Sequence, residues 1–462
     1  MANYTLAGFE TLPNYYRKQT HLTSQEVNWF FKKTCRKYLR SFGQNFKGNL
    51  KTHIRDEVKL LVNCKSDGIY DDCILIIDSG GFQISINKVA KSDIPGFMAL
   101  YYDDFLIKYH HLFNRAFVMD IPPGPGCEAF DDFDDLYKLN EESYLKAAQL
   151  PKEVRDKMVY IHHFRTPELW RIFMKILREN DYFKEYQYHG TGGLVANMSS
   201  DVQIPCIMPM LPLVPLLNDA KKCGRNSIDF HVLGGSTMRD VLFYQIFQIH
   251  LKKVHGIDIN IGYDSSGLYK GVMMGRTIPI LNGYNIHKLD LRESKLDFRF
   301  MNSETIRDRF KHIMTDMCED VGFKKLPEQE LDDIYYTQID KRKNGTIKET
   351  RTFIPNVRMY IALYYLYSYT KAEERFKALA RGLYPVYESG EVGEFNRQLE
   401  EVTRAINFGK ITRKQKAKTY SVAKTLDLLT SLDEDYCENL VKKHLAKDEF
   451  SDLDPNAQVM TV

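Results

Sequence analysis

CILIIDSGGFQ (73–83) decides the fold class. A short, wholly apolar run that stops on an aspartate and a Gly-Gly pair reads as a strand covered on both faces and ended by a tight turn. The same texture recurs in AFVMD (116–120), KMVYIHH (157–163), YQYHGTGG (186–193), DFHVLGG (229–235) and IDINIGYD (257–264). Helical stretches separate these runs: DLYKLNEESYLKAAQL (135–150), PELWRIFMKILREN (167–180) and STMRDVLFYQIFQIHLKKV (236–254). The last sets Thr237 and Asp240 in capping-box spacing and gathers Met238, Val241, Leu242, Ile246 and Ile249 on one face. Apolar strands alternating with amphipathic helices predict an α/β fold, a parallel sheet with helices outside. A (β/α)8 TIM-type barrel is the preferred closure. An open doubly wound sheet is the runner-up, because the strands before residue 73 are hard to place. Residues 21–62 read as helical, with Val27, Phe30, Phe31 and Tyr38 among basic residues.

Working outward, the barrel and a basic helical N-terminal part occupy 1–300. Charged amphipathic helices (303–320, 356–382, 394–408, 421–446) make a basic helical extension over 301–447, with a turn or hairpin at 341–350. An acidic tail covers 448–462. The chain has 462 residues, 44% hydrophobic and 27% charged, which fits a globular protein and not a disordered or fibrous one. No apolar run is long enough to span a membrane and no secretory leader is recognisable, so a cytoplasmic location is expected. Eight scattered cysteines without a CxxC predict free thiols. The formal charge of +3 is unevenly spread: residues 1–60 carry +7, residues 341–420 carry +9, and the remainder −13. Two basic ends around an acidic middle suit a polyanion, though solvated helix faces would give the same count.

Three carboxylates end apolar runs beside glycine or proline turns: Asp78, Asp120 and Asp264. In a barrel the C-terminal strand ends share one mouth, so these residues would converge there. Two aspartates in different environments can divide glycosyl chemistry between nucleophile and proton donor. An aromatic such as Phe82 can stack on a flat ligand that the glycines admit.

DSGGFQ (78–83), GGLV (192–195) and the later strand-end Asp264, in this order across roughly 73–280, resemble the motif set of the tRNA-guanine transglycosylase superfamily. Those are zinc-bearing (β/α)8 enzymes that exchange guanine in a nucleic acid for a 7-deazaguanine. The resemblance implies Asp264 as the nucleophile on C1′ and Asp78 as general acid/base. It implies Phe82 as a stacking platform and Asp120 as reader of the guanine edge, with Ser79, Gln83, Gly192, Gly193 and Leu194 adding contacts to the base. His162 or His163 falls where the family places a polar base contact, and His162 is the residue carried forward. The family's CxCxxC zinc cluster is not found. Cys318 and His312 alone lie in that neighbourhood, so no metal or other cofactor is expected. The missing cluster and the basic helical extension look more like the DNA-modifying branch, which inserts a deazaguanine such as preQ0, than like a tRNA enzyme. The expected partners are therefore a nucleic acid, DNA before tRNA, and the deazaguanine base. Lys270, Arg276, Arg413, Lys414 and Lys416 are candidate backbone contacts, as are Lys32, Lys33, Arg36, Lys37, Arg40 and Lys418, and Lys341–Lys343. A non-catalytic nucleic-acid-binding paralogue and an unrelated (β/α)8 glycoside hydrolase are the competing readings.

Overall fold

The computed structural model describes residues 4–7, 37–43, 46, 48–66, 73–85, 88–121, 133–163, 167–179, 186–192, 208–235, 238–265, 277–282, 285–290, 315, 319, 335–341, 347–353, 355–406 and 411–445. Its centre is a curled, all-parallel sheet of strands β1 (Tyr4–Ala7), β2 (Lys37–Ser41), β3 (Ile74–Asp78), β4 (Arg115–Phe117), β5 (Met158–His162), β6 (Tyr188–Thr191), β7 (Ser227–Val232) and β8 (Asp258–Ser265). Neighbours pair in chain order, and β8 returns to β1 with Thr5 opposite Asp264. Parallel neighbours need crossovers. Those described are helical: α1 (Leu50–Ser66), α2 (Gly81–Ser85) with α3 (Ile94–Ala99), α4 (Phe133–Ala148), α5 (Pro167–Glu179), α6 (Leu213–Lys222) and α7 (Met238–His255).

The period of two splits each strand's side chains between two cores. Ala7, Leu39, Ile76, Phe117, Val159 and Ile161 face inward and form a small apolar plug. Outward residues such as Tyr38, Leu75, Ile77, Ala116, Met158 and Tyr160 join the helices in a much larger cluster. Each large side chain buried this way contributes about 1.5–3 kcal/mol.

Beyond β8 the chain forms two antiparallel hairpins, β9 (Thr277–Asn282) with β10 (Asn285–Asp290) and β11 (Tyr335–Lys341) with β12 (Ile347–Phe353). Four helices follow: α8 (Pro355–Glu388), α9 (Val392–Ile406), α10 (Arg413–Ser431) and α11 (Glu434–Leu445). Helix α10 starts on a full capping box, Thr412 with Gln415, and ends at Leu432 with φ +54°. The capping box satisfies two amide donors at the helix start. The helical extension is packed on the sheet's helices. Tyr263 of β8 donates to Glu373 of α8 at 3.0 Å, and His250 of α7 meets Tyr384 and Thr430 at 3.1 and 2.9 Å.

Two expectations change. The helix expected over 21–62 is β2 followed by α1 in its described part. Tyr38 is an outward strand residue, and Arg40 is fully buried against Glu57 with two hydrogen bonds of 2.6 and 2.7 Å. Arg40 therefore faces no phosphate. The single helix expected at 421–446 is two, broken at Leu432. Of the helix expected at 303–320 only residues 315 and 319 are described, and both are helical; Thr237, Cys318, His312 and the tail from 448 lie outside the described residues. Among the described residues Cys73, Cys223 and Cys437 form no disulfide. No described helix is long and apolar enough to cross a membrane.

Candidate active site

The inward strand positions above the apolar plug are polar, and they share the C-terminal mouth of the sheet. Asp78 ends β3, and the chain then turns sharply at Gly80, whose φ of +88° only glycine adopts without strain. A Cβ on Gly80 would lie 2.7 Å from the Gly43 nitrogen, and one on Gly81 would lie 1.6 Å from the Asp120 carbonyl oxygen. The glycine pair of DSGGFQ thus lets three loops pass within backbone contact. The Gly81 gap presses the β3 turn against the residue that carries the second carboxylate.

Asp120 lies three residues past β4, held by its flanking backbone. Tyr102, in the π-helical segment Leu100–Leu106, accepts the Met119 N–H at 2.8 Å, and Ser143 donates to the Met119 carbonyl at 2.5 Å. Asn140 brackets Ile121, accepting its N–H at 2.9 Å and donating to its carbonyl at 3.1 Å. The Asp120 Oδ2 meets His163 Nε2 at 2.8 Å. Gly192 closes this corner: a Cβ there would lie 3.0 Å from Asp120 Oδ2 and 3.2 Å from His163 Cε1.

Asp264, near the end of β8, uses one oxygen for both of its described hydrogen bonds. Oδ1 accepts the Gly234 N–H at 3.0 Å and faces His231 Nε2 at 3.1 Å. Among the described residues Oδ2 is left without a hydrogen bond. Asp120 and Asp264 are both buried, 6% and 8% exposed.

Three carboxylates thus share one mouth, and only two have imidazole partners. The third, Asp78, is pushed up to about 7. Burial is the main cause, followed by the negative charge of Asp120; the Ser41 hydroxyl and the Gly80 amide oppose the rise, and Asp264 adds a little to it. A carboxyl whose surroundings favour its protonated form, beside two carboxyls each set against a histidine, is the arrangement that separates an acid from a nucleophile.

The sequence-predicted residues divide. Asp78, Ser79, Gln83, Asp120, Gly192 and Asp264 gather at the mouth; Ser79 is fully buried in the turn, and Gln83 accepts from Ser41 at 3.1 Å. His162 does not belong there. It faces the outer layer, 3.4 Å from His189, edge-on to Tyr160 and against Phe173, and burial pushes its pKa well below the usual value. The strand period explains the correction: Val159 and Ile161 point inward, so His163 does and His162 cannot. The same alternation could have found His231, two residues beyond the inward Asp229. The backbone of Phe82 lies in α2, but its side chain, like Gly193, Leu194, Lys270, Arg276 and the Lys414 side chain, lies outside the described residues.

The candidate backbone contacts in the extension also divide. Arg413 is exposed in the first turn of α10. Lys416 instead pairs with Glu400 at 3.1 Å, and Lys418 with Asp240 at 2.8 Å. Lys37 lies at the opposite, N-terminal end of the sheet interior, where Arg115 pairs with Asp229 at 3.0 Å. Among the described residues no group of three or more His, Cys, Asp or Glu side chains could hold a metal. The donor set of a thiolate zinc site is therefore not matched by the described residues. No family model matches this chain, and no curated protein matches it.

Proposed function

We propose that this protein is a guanine transglycosylase acting on DNA, in which Asp264 displaces guanine from C1′ and a 7-deazaguanine such as preQ0 takes its place. The observation that carries the reading is the splitting of the three carboxylates: Asp78 raised to about 7, with Asp120 and Asp264 each set against a histidine. Asp264 Oδ2 attacks C1′, the C1′–N9 bond breaks, and guanine departs with the proton of Asp78. The ionised Asp78 then takes the N9 proton of the deazaguanine while that nitrogen attacks C1′ and releases Asp264. Asp120, clamped by its backbone and by His163, reads the purine edge through its remaining oxygen. Gly192 keeps the wall flat enough for a ring to lie against it.

The DSGGFQ and GGLV motifs support the same family and, with it, a complete (β/α)8 TIM-type barrel whose eighth helical position is filled by α8. No redox cofactor, nucleotide or zinc is required by this chemistry. A target base must leave its stack to reach the mouth, at a cost of a few kcal/mol that pocket and phosphate contacts offset. DNA is preferred to tRNA because the sequence lacks the CxCxxC zinc cluster and carries a basic helical extension in place of a familiar RNA-binding module. Work on cellular DNA and free thiols both fit the cytoplasm.

The test is incubation of the full chain with labelled preQ0 and either duplex DNA or tRNA. Label in DNA with release of one guanine per label is the expected result, and Asp264→Asn should abolish it while leaving binding intact. Label in tRNA alone would move the substrate to RNA. Binding without label in either polymer would overturn the enzyme reading in favour of a non-catalytic nucleic-acid-binding protein.

A further inference from the structure

The two hydrogen bonds on Asp264 assign a role to a residue that none of the motifs contains. We infer that His231 is a positioning residue: its Nε2–H, together with the Gly234 amide, holds Asp264 Oδ1 and turns Oδ2 toward the reacting carbon. The inference rests on the transglycosylase reading and names what orients its nucleophile.

The geometry argues for it in three steps. First, both donors meet the same oxygen, at 3.1 and 3.0 Å. A carboxylate gripped on one oxygen by two N–H groups from one neighbouring strand and its turn has its plane fixed. Second, His231 is itself fixed. It is buried, it lies opposite Gly262 in the β7–β8 register, and its ring packs on Phe117 of the apolar plug at 5.4 Å. Third, the carboxylate accepts, so Nε2 is the nitrogen that carries the proton. The polar side chains sharing the sheet interior with this ring are Asp264, Asp229, Arg115, Lys37, Tyr188 and Asn260. Arg115 and Asn260 both bond Asp229, at 3.0 and 2.7 Å, which leaves Asp264 as the carboxylate bound by His231.

The consequence falls unequally on the two half-reactions. While the glycosyl-enzyme forms, Oδ1 loses charge as it becomes the ester carbonyl oxygen, and the two donors serve mainly to aim Oδ2. When the incoming base attacks C1′, the C1′–Oδ2 bond breaks, its electron pair returns to the carboxylate, and charge grows on Oδ1 between two donors already in place. Loss of one donor should therefore slow release of Asp264 more than its attack.

The experiment compares the full-length wild type with His231→Phe and His231→Gln, using labelled preQ0 and a guanine-containing DNA duplex. His231→Phe should lower kcat about ten- to hundredfold, leave KM for DNA within about twofold, and raise the fraction of protein trapped covalently on DNA. His231→Gln, which keeps an N–H donor, should recover most of the loss. Wild-type kcat in His231→Phe would overturn the inference and leave the functional reading standing. If wild type exchanges no base, the functional reading fails instead, and the inference is then decided by 15N spectra of the His231 ring. The inference expects a proton on Nε2 whose shift changes in Asp264→Ala; an identical ring signal in both proteins would overturn it.

Discussion

At the scale of single residues, the site depends as much on what is absent as on what is present. Gly81 is the extreme case, because any Cβ would fall 1.6 Å from the Asp120 carbonyl oxygen. Gly81→Ala must push the β3 turn and the Asp120 loop apart. It should cost more than about 3 kcal/mol, read as a fall in urea midpoint, and should abolish exchange even where the protein still folds. Asp78 makes the opposite kind of prediction. Its folded pKa of about 7 stands above the ordinary 3.8, so the folded state binds more protons than the unfolded one between those values. Stability from this group is present below pH 3.8 and is lost as pH rises through 7. Asp78→Asn removes that penalty. At pH 8 it should stabilise the protein by ~2–4 kcal/mol, with the lower half of the range expected for a partly exposed group, while exchange collapses. A variant no more stable than wild type at pH 8, with the difference also absent at pH 4, would show that Asp78 carries no raised pKa. In exchange assays the acid form is needed for guanine to depart and the base form for the new base to attack, so the wild-type rate should peak near pH 7.

At the scale of elements, the parts that sequence made legible are those whose burial is continuous. The runs at 74–78 and 158–162, and the helices near 135–150, 167–180 and 236–254, are nearly where the periodicity puts them. Strand β2 was hidden because its inward and outward residues, KYLRS, carry two basic groups that look like a helix surface. Only the structure shows that Arg40 is neutralised by Glu57, a partner 17 residues away on α1. For the same reason the three aspartates were visible at strand ends, whereas His231 was not and His162 was taken in place of its neighbour His163, since facing depends on a register that neighbouring strands set. The π-helical segment Leu100–Leu106 is a further element that sequence does not announce. It turns adjacent tyrosines toward β4 and its end: Tyr101 donates to the Phe117 carbonyl at 2.7 Å, and Tyr102 accepts from Met119. Tyr102→Phe leaves a buried amide unpaired and should cost about 1–3 kcal/mol in urea unfolding. It should also lower exchange by loosening Asp120, which a purely structural tyrosine on another helix would not do. A second element-level prediction concerns the α7–α8–α10 junction. His250 is lowered to about 4, chiefly by burial, with its ring nitrogens facing Tyr384 and Thr430. Between pH 6.5 and 4 the unfolded chain takes up a proton that the folded chain refuses, so this stability is whole above 6.5 and falls with pH toward 4. Wild type should lose about 3 kcal/mol more than His250→Gln between pH 7 and 4 in urea unfolding. His162 and His189 are lowered in the same direction in both proteins, so the difference isolates His250.

At the scale of the whole molecule, the uneven charge acquires a different meaning once partners are known. The +9 of residues 341–420 suggests a strongly attractive face for phosphates. In the folded chain several of the cations of this segment are engaged in ion pairs: Lys377 with Glu373, Arg397 with Glu394 and Glu401, Arg404 and Lys416 with Glu400, and Lys418 with Asp240, which lies outside the segment. Such pairs bind α8, α9 and α10 to themselves and to α7, and each surface pair contributes at most about 1 kcal/mol. They are poor donors to a phosphate, because engaging one first breaks an ion pair. Contact with nucleic acid through this extension therefore falls to cations such as Arg413, exposed at the first turn of α10. Binding measured against salt separates the two kinds. Arg413→Ala should reduce the slope of log K against log[salt] by about 1 without changing the urea midpoint, since a phosphate contact releases a counterion. Lys416→Ala should leave that slope unchanged while slightly weakening the α9–α10 pairing. Equal slopes for wild type and Arg413→Ala would move the phosphate contact off α10 and toward the mouth itself, where the flipped strand must pass.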